Sequence, residues 1–283
     1  RTRFVPLNMD ELRTTGFPGR VQCRAEPHPG WPMRLLRRLF RLFRLIPHIV
    51  RGIWRAATRL PAVPPPRTEA EWETVRRWHR EALRIIGVDL HIHGTPVRGP
   101  ALIVSNHISW LDIGALLTII DAGFIGKREL AGWPVLGYLI TKGGTIYIER
   151  GGQGAAANAT AEMQQRLARG DRAAVFPEGT TTRGADMRRF HPRLFEAARA
   201  AGVPVQPAAL VYDNQRVPFV DDDLFVRHVW ELLAEPRIRV DLYLLPPIDP
   251  AGLDRRSIAR LAEDAIRPLA TGKAAIRDTV AVE

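Results

Sequence analysis

A histidine and an aspartate separated by four residues, His107 and Asp112, are the side chains of this sequence best suited to catalysis. Histidine titrates nearest to neutral pH, so His107 could take a proton as a general base. A carboxylate on the other ring nitrogen would fix the tautomer and the orientation of the ring. Because an offset of five residues spans about 140° of a helix, the pair can form only if His107 lies in a turn and Asp112 in the first helical turns. The same spacing also fits a buried histidine satisfied by a neighbour, with Asp112 near a helix start for reasons of the helix dipole.

The elements around this pair predict a turn between a strand and a helix. The apolar run at residues 101–104 is typical of a buried strand, and residues 113–120 are typical of a helix. Such turns, at the carboxyl end of a strand, are where α/β folds place their functional residues. Further strands are predicted at 88–93, 124–126, 145–148, 173–176, 205–211 and 238–245, and further helices at 155–168, 192–201 and 255–270. We therefore predict an α/β domain over residues 88–283, with a mixed, largely parallel sheet flanked by helices.

Three more sequence blocks follow the His–Asp block in a recognisable order. Residues 127–150 begin Lys-Arg-Glu-Leu and end Ile-Glu-Arg, residues 176–184 read Phe-Pro-Glu-Gly-Thr-Thr-Thr-Arg-Gly, and residues 203–207 read Val-Pro-Val-Gln-Pro. Together with Asn-His-Ile-Ser-Trp-Leu-Asp at 106–112, they resemble the four motif blocks of the glycerolipid acyltransferases of the 1-acylglycerol-3-phosphate acyltransferase type. The resemblance covers residues 90–248. It implies an O-acyltransferase that moves a fatty acyl chain from acyl-CoA or acyl carrier protein to the free hydroxyl of a lysolipid.

The resemblance also implies roles for individual residues. His107 matches the general base, and Asp112 matches the residue that orients it and stabilises the imidazolium. The second and third blocks bind the polar end of the acceptor, which assigns Lys127, Arg150, Glu178, Gly179, Thr180, Thr181 and Arg183 to the acceptor site. No cofactor is expected beyond the acyl thioester as co-substrate, and no metal. Ser109 is too close to His107 in sequence to be attractive as a nucleophile, and no nucleophile-elbow sequence surrounds it.

The third block departs from the family pattern at one position. The phosphatidate-forming members typically have Arg directly after Phe-Pro-Glu-Gly-Thr, where this chain has Thr181, with Arg183 two residues later. The change removes a bidentate partner for phosphate. The Phe-Pro-Glu-Gly-Thr-Thr form resembles relatives that act on other lysolipids, including lyso-ornithine lipid. We expect 1-acylglycerol-3-phosphate as the acceptor, giving phosphatidate, with lyso-ornithine lipid as the alternative.

Nearly all of the net charge lies at one end of the chain. Residues 1–60 contain 13 Arg and 3 acidic residues, whereas the remainder carries 28 basic and 27 acidic residues, for a formal net charge of +11. Binding of nucleic acid would require a basic face on the folded body, so no nucleic-acid partner is expected. In residues 31–60, cations recur every three or four residues and apolar side chains fill the other positions. No run of about 18 uncharged apolar residues occurs, so a simple transmembrane helix is not expected.

The pattern of residues 31–60 instead predicts an amphipathic helix in the bilayer interface, kinked or split at Pro47. Each cation near an anionic lipid surface contributes about 1 kcal/mol of attraction. The residues expected to contact the membrane are Arg34, Arg37, Arg41, Arg44, Phe40, Phe43 and Trp54. The alternative is a surface helix packed on its own domain with a solvated basic face. A non-catalytic protein that binds the membrane surface is the corresponding alternative for function.

We therefore divide the chain into three parts. Residues 1–30 are expected to be irregular, residues 31–87 to form membrane-interface helices, and residues 88–283 to form the catalytic domain. The second of these helices, at 68–86, is expected either to pack as an ordinary helix, which the pattern favours, or to form a hairpin with the first and touch lipid. The lone Cys23 excludes an internal disulfide and suits a reducing compartment. The chain begins with Arg1 rather than Met, as expected where a signal peptide or a tag has been removed. We expect peripheral or monotopic association with the cytoplasmic face of the inner membrane.

Overall fold

The computed structural model describes residues 2–5, 30–60, 67–148, 155–184, 186–220 and 223–272. Arg150, which was assigned to the acceptor site, lies outside the described residues, and of Lys127 only the backbone is described. The assignments of these two side chains therefore stay predictions.

The described strands form one sheet at the centre of the fold. They are β1 Thr2–Val5, β2 Val88–His93, β3 Ala101–Ser105, β4 Ala122–Lys127, β5 Ile146–Ile148, β6 Arg172–Val175, β7 Val205–Tyr212 and β8 Ile238–Leu244. Their order across the sheet is β1-β2-β8-β7-β3-β6-β4-β5. All neighbours are parallel except β7 and β8, which confirms the predicted mixed, largely parallel sheet. Strand β1 was not predicted. It lies in the N-terminal segment that we expected to be irregular, and it pairs with β2.

Helices cover the sheet and extend from it. They are α1 Trp31–Arg59, α2 Glu69–Ile86, α3 Leu111–Leu116, α4 Leu136–Lys142, α5 Ala155–Ala168, α6 Glu196–Ala201, α7 Phe225–Leu232 and α8 Arg255–Thr271, with short 3-10 helices at Arg128–Gly132 and Pro192–Phe195. The short helices α4 and α7 were not predicted. Helix α1 is one helix that contains Pro47 rather than two helices divided there. Among the described residues, no helix is both long and apolar enough to cross a membrane.

Two apolar clusters cover the opposite faces of the sheet. Strand β3 contributes to both, because successive side chains of a strand point to opposite faces. Ala101 and Ile103 belong to one cluster, and Leu102 and Val104 belong to the other. A strand buried on both faces is held firmly in place, so the turn that follows it has a fixed starting point.

The arginine-rich face of α1 turns toward the protein. Arg41 is only 8 % exposed and donates hydrogen bonds to the carbonyl oxygens of Leu233 at 3.1 Å, Glu235 at 2.7 Å and Pro236 at 3.3 Å, all just beyond the end of α7. Arg37 donates to the carbonyl of Ala234 at 2.6 Å. The last carbonyls of a helix lack partners and carry the negative end of its dipole, so they attract guanidinium groups.

This orientation corrects part of the predicted membrane contact. The expectation that Arg41 contacts lipid is wrong, because its guanidinium is buried against α7. Arg37 is directed to the same helix end, and Arg34 lies 3.9 Å from Glu235. The part of the basic face formed by these three arginines therefore contacts the protein, whereas Arg51 and Arg59, further along the helix, are exposed as the alternative interpretation required.

The opposite side of α1 exposes its apolar residues. At about 100° per residue, Val50 lies about 180° from Arg41, and Phe43 and Trp54 lie within about 40° of Val50. We call this side the apolar face of α1; its members, each 52–77 % exposed, are Leu36, Leu39, Phe40, Phe43, Ile46, Val50 and Trp54. Arg44 is also exposed, with its guanidinium 5.7 Å from the centre of the Phe40 ring.

Helix α1 approaches α2 closely at a glycine. Gly52 is buried beside Trp78, and a methyl group at position 52 would come within 2.4 Å of Trp78 Nε1. One turn earlier, the His48 ring stacks on the same indole with 5.1 Å between ring centres. The small residue at position 52 thus lets the two helices pack face to face.

Candidate active site

The carboxyl ends of four parallel strands meet at one edge of the sheet. His107 comes two residues after β3, Glu178 comes three residues after β6, Lys127 ends β4 and Tyr212 ends β7. Since β7, β3, β6 and β4 are neighbours in that order, blocks separated by up to about 100 residues converge at this edge. The carboxyl edge is where open α/β sheets bind their ligands.

His107 and Asp112 form a hydrogen-bonded pair at the centre of this edge. His107 lies in the turn after β3, and Asp112 is the second residue of α3, which agrees with the placement expected from their spacing. His107 Nδ1 lies 2.8 Å from Asp112 Oδ2, and that oxygen also accepts from the backbone N–H groups of Ile108 at 2.6 Å and Ser109 at 2.9 Å. Because a carboxylate only accepts, the Nδ1 atom carries the proton and Nε2 carries the lone pair.

Tyr212 completes the surroundings of the buried carboxylate. Its hydroxyl donates to Asp112 Oδ1 at 2.5 Å, so the carboxylate receives four donors from the described part of the chain. Burial raises the pKa of the Tyr212 phenol well above its usual range, and the charge of Asp112 raises it further. The phenol therefore keeps its proton and remains a donor. Sequence reasoning did not identify Tyr212, which directly follows a predicted strand and belongs to no motif.

The His107 ring is packed on one face and open at one nitrogen. It stacks on Phe176 with 3.9 Å between ring centres and 8° between ring planes. Its side chain is 19 % exposed, and no group among the described residues hydrogen-bonds Nε2. A substrate hydroxyl at Nε2 could therefore lose its proton to a ring whose orientation is fixed by stacking and by Asp112.

The third block holds the main chain of His107. Glu178 Oε1 accepts from the N–H of His107 at 2.8 Å, and Oε2 accepts from the N–H of Arg188 at 2.8 Å. The N–H of Thr182 donates to the His107 carbonyl, also at 2.8 Å. Burial raises the pKa of the Glu178 carboxyl, although both backbone donors oppose the shift. The assignment of Glu178 to acceptor binding does not fit this geometry, since its 3 % exposed side chain is engaged with backbone.

The remaining residues of the third block differ in what they offer a ligand. Gly179 has a φ of +74°, in the left-handed region that favours glycine, and its N–H donates to the Phe176 carbonyl at 3.1 Å. That N–H is engaged within the turn, so the backbone donor of Gly179 itself does not reach the acceptor. Thr180 and Thr181 are half-buried and Arg183 is exposed beside them, so these three stay candidates for acceptor contacts.

A side-chain amide joins the catalytic turn to the neighbouring strand. Asn106 donates through Nδ2 to the Leu210 carbonyl at 2.9 Å and accepts through Oδ1 from the Leu210 N–H at 2.8 Å. The amide thus provides the hydrogen-bond partners of the Leu210 backbone at a point where β3 has ended but β7 continues. Its position in the first motif block was visible in the sequence, whereas this function was not.

Helix α7 supports the same turn from the other side. The Trp110 Nε1–H donates to His228 Nδ1 at 3.0 Å, and His228 Nε2 donates to the Arg216 carbonyl at 2.9 Å. The N–H of Phe219 donates to the Ile108 carbonyl at 2.9 Å. Helix α7 therefore contacts the catalytic turn through His228, the loop before it does so through Phe219, and the carbonyls just beyond its end accept from arginines of α1.

Two other kinds of chemistry find no support in the described part of the chain. Ser109 is completely buried, and its Oγ has no hydrogen-bond partner there, so His107 does not activate it. No group of three His, Cys, Asp or Glu side chains among the described residues could hold a metal ion.

Comparison with known proteins gives the same assignment. The family model described as Acyltransferase matches residues 88–211. The lyso-ornithine lipid O-acyltransferase of Pseudomonas aeruginosa is 37 % identical over 257 residues, covering 87 % of this chain and 98 % of that protein. A 1-acyl-sn-glycerol-3-phosphate acyltransferase of Neisseria gonorrhoeae is 29 % identical over 182 residues, covering 62 % of this chain and 71 % of that protein.

A solved structure shares the fold. The crystal structure of the 1-acyl-sn-glycerophosphate acyltransferase PlsC from Thermotoga maritima matches with a TM-score of 0.65 and 21 % identity, covering 86 % of this chain and 96 % of that one. The coverage of the Pseudomonas protein decides the family, because it extends over nearly its whole length. The chain belongs to the acyltransferase family that includes the lyso-ornithine lipid and 1-acyl-sn-glycerol-3-phosphate acyltransferases, and it is an O-acyltransferase of lysolipids.

Proposed function

We propose that the protein transfers a fatty acyl chain from acyl-CoA or acyl carrier protein to the free hydroxyl of lyso-ornithine lipid. His107 Nε2 takes the hydroxyl proton as the oxygen attacks the thioester carbonyl carbon. The tetrahedral intermediate collapses, the carbon–sulfur bond breaks, and the thiolate takes the proton back from the imidazolium. One observation supports this mechanism above all. The His107 ring is hydrogen-bonded to Asp112 through Nδ1, and its Nε2 atom is open to a substrate. No cofactor takes part beyond the acyl thioester.

The surroundings of Asp112 fit the charge that develops in this step. As His107 becomes positive, the carboxylate lies 2.8 Å away and is held by three other donors, so it need not rearrange. Tyr212 and the two backbone N–H groups thus act through Asp112. This is the role of a preorganised counter-charge rather than of a second base.

Lyso-ornithine lipid becomes the preferred acceptor, ahead of lysophosphatidate. Relatives named lyso-ornithine lipid O-acyltransferase include the Pseudomonas protein and one from Brucella abortus that is 33 % identical over 212 residues, covering 68 % of this chain and 79 % of that protein. Ornithine presents a carboxylate and an ammonium, whereas a phosphomonoester carries about −1.5 to −2 charges. One exposed guanidinium at Arg183, with Thr181 in place of a second, suits the single carboxylate better.

A substrate comparison tests the acceptor. Purified protein is given palmitoyl-CoA with lyso-ornithine lipid, lysophosphatidate or lysophosphatidylglycerol, and the products are compared by kcat/KM. One charge-assisted contact is worth about 1.5–3 kcal/mol, so we expect a preference of roughly ten- to a hundredfold for lyso-ornithine lipid. A preference of that size for lysophosphatidate would reject the proposed acceptor while leaving the acyl-transfer mechanism intact.

Substitution of Thr181 tests the cause of this preference. Thr181→Arg should shift the ratio of kcat/KM values for the two acceptors toward lysophosphatidate by a comparable factor. Thr181→Gln, which introduces a long polar side chain without charge, is the matched control. If Arg183 instead replaces the missing cation, Arg183→Ala will change the ratio and Thr181→Arg will not. Indifference to both changes would mean that this loop does not select the headgroup.

We also propose that the apolar face of α1 lies in the membrane interface, on the cytoplasmic side where the acyl donors are found. The face is exposed because the arginines on the other side of the helix are bonded to α7. Burying a Phe side chain is worth about 1.5–3 kcal/mol. Phe40→Ser with Phe43→Ser should therefore lower the partition of the protein into vesicles roughly a hundredfold or more. Leu261→Ser, at an exposed apolar residue of α8, is the control and should not alter it.

A further inference from the structure

A cavity of about 250 Å³ lies between α1 and α2, and none of the functions described above uses it. Its lining residues are Arg55, Arg59, Ala70, Glu73, Thr74 and Arg77. Three guanidinium groups thus surround the space with one carboxylate. At about 30 Å³ for each water molecule, the volume equals that of about eight waters, enough for a phosphate group and the atoms attached to it.

The single carboxylate is committed to arginines of its own helix. Glu73 accepts from Arg76 at 3.1 Å and from Arg80 at 3.0 Å. Arg55 and Arg59 have no acidic partner within 4 Å among the residues that the structure describes. The cavity therefore has an excess of positive charge on its α1 side, and a guanidinium binds phosphate oxygens through two parallel hydrogen bonds.

The cavity also lies at the depth of lipid headgroups. Along α1, Arg59 points in the same direction as Arg41, and Arg55 lies about 40° from it, so both are opposite the apolar face of α1. A helix with its side chains is about 10–12 Å across, which puts an anion in the cavity about one helix diameter from that face. The apolar face of an interfacial helix sinks about 5–10 Å into the boundary between headgroups and acyl chains. Phosphates then lie beside the opposite face.

The cavity is separate from the catalytic edge. Next to it on α2, Arg76 forms an ion pair with Asp121, which directly precedes β4. Asp121 is therefore at the amino ends of the parallel strands, whereas His107 is at their carboxyl ends. A lipid held in the cavity is not the acceptor that reacts at His107.

We propose that this cavity binds the phosphate of an anionic phospholipid headgroup and so attaches the α1–α2 pair to the membrane at a defined point. The proposal rests on the interfacial placement of α1 but not on the identity of the acceptor. Dihexanoylphosphatidylglycerol below its critical micelle concentration supplies the headgroup without a bilayer. Binding to the cavity can then fail or succeed independently of the membrane placement and of acyl transfer.

Calorimetry with this soluble lipid provides the test. We expect saturable binding by the full chain, weakened at least tenfold by Arg55→Gln with Arg59→Gln. The matched control, Arg84→Gln with Arg260→Gln, removes the same charge at exposed positions outside the cavity and should leave the affinity unchanged. An equal loss in the control, or no loss in the cavity variant, would overturn the proposal in favour of general charge attraction.

Two further measurements define the ligand. Glu73→Gln removes the only carboxylate among the described lining residues, so it should strengthen binding several-fold. A weakened affinity in a variant with unchanged circular dichroism would contradict the site. Inorganic phosphate should bind at least tenfold more weakly than the lipid. If phosphate binds as tightly, the site takes a free anion, and the assignment to a lipid is wrong.

Discussion

Replacing Tyr212 by Phe tests whether the donors to Asp112 support catalysis or only folding. The substitution removes one oxygen and leaves the ring, so packing changes little. Three of the four donors to the carboxylate reach Oδ2, and the Tyr212 hydroxyl alone reaches Oδ1. Without it, a buried charged oxygen has lost its partner, which costs about 1.5–3 kcal/mol.

We expect this cost in two measurements on Tyr212→Phe. The free energy of unfolding in urea should fall by about 1.5–3 kcal/mol. Since the carboxylate is then free to turn away from His107, kcat should fall roughly ten- to a hundredfold, while KM for the acyl donor should stay the same. Wild-type kcat in a variant with the expected loss of stability would refute the catalytic part of the reasoning. It would mean that the backbone N–H groups alone hold Asp112.

Tyr243→Phe is the matched control for this experiment. Tyr243 is also buried, with its pKa raised by burial to about 12, but its ring stacks on His93 and does not touch Asp112. We expect this variant to keep full kcat. A similar loss of kcat in Tyr243→Phe would show that activity follows general stability rather than the bond to Asp112.

The remaining predictions concern the base, the docking of α1 and the response to acid. His107→Ala should lower kcat about 10²–10⁴-fold with little change in donor affinity, and near wild-type acyl transfer would remove the mechanism. Arg41→Met keeps an apolar stem but leaves carbonyls at the end of α7 without a donor, so the free energy of unfolding should drop by about 1–3 kcal/mol. The control, Arg44→Met at an exposed site, should have a free energy of unfolding within about 0.5 kcal/mol of wild type. Burial lowers the pKa of His79 to about 4 and also lowers the pKa of His48, so as the pH falls the unfolded chain takes up these protons before the folded chain does. This contribution to the free energy of unfolding in urea should therefore be fully present above about pH 6.5 and should decline as the pH falls toward 4. His79→Gln should make that decline shallower, and an unchanged pH dependence would rule out this contribution.

The elements that the sequence revealed are those with strong local patterns. The helix at Ala155–Ala168 and the strand at Val88–His93 have the predicted bounds, because their periodicity and their flanking turns lie within the segment itself. Strand β1 has four residues and gains its hydrogen bonds from β2, more than 80 residues away. The seven residues of α4 and the eight of α7 are likewise too few for a periodic pattern to be distinctive.

Within the site, the sequence located the proposed catalytic pair but not the contacts that support it. His107 and Asp112 are five residues apart, so helix geometry relates them directly. Tyr212 is 100 residues from Asp112, and Glu178 is 71 residues from His107, so only the order of the strands brings them together. The sequence did not show, for a similar reason, that Arg37 and Arg41 of α1 face the protein rather than lipid. A helical pattern shows that two faces differ, whereas the partners that turn the arginines inward lie about 190 residues further along the chain.

The hydrogen bonds between α1 and the end of α7 mean that this helix, proposed above to lie in the membrane interface, is part of the folded body rather than a detachable anchor. Deleting α1 would leave without donors the carbonyls at the end of α7 that now accept from Arg37 and Arg41. The same helix contains His228, which accepts a hydrogen bond from Trp110 beside the catalytic turn. Grafted onto another protein, α1 would in turn carry a row of arginines without their acceptors. A truncated, soluble version of the enzyme is therefore a poor engineering strategy. Replacing the outward apolar residues of α1 by polar ones, with the inward arginines kept, is the better way to weaken the proposed contact with lipid.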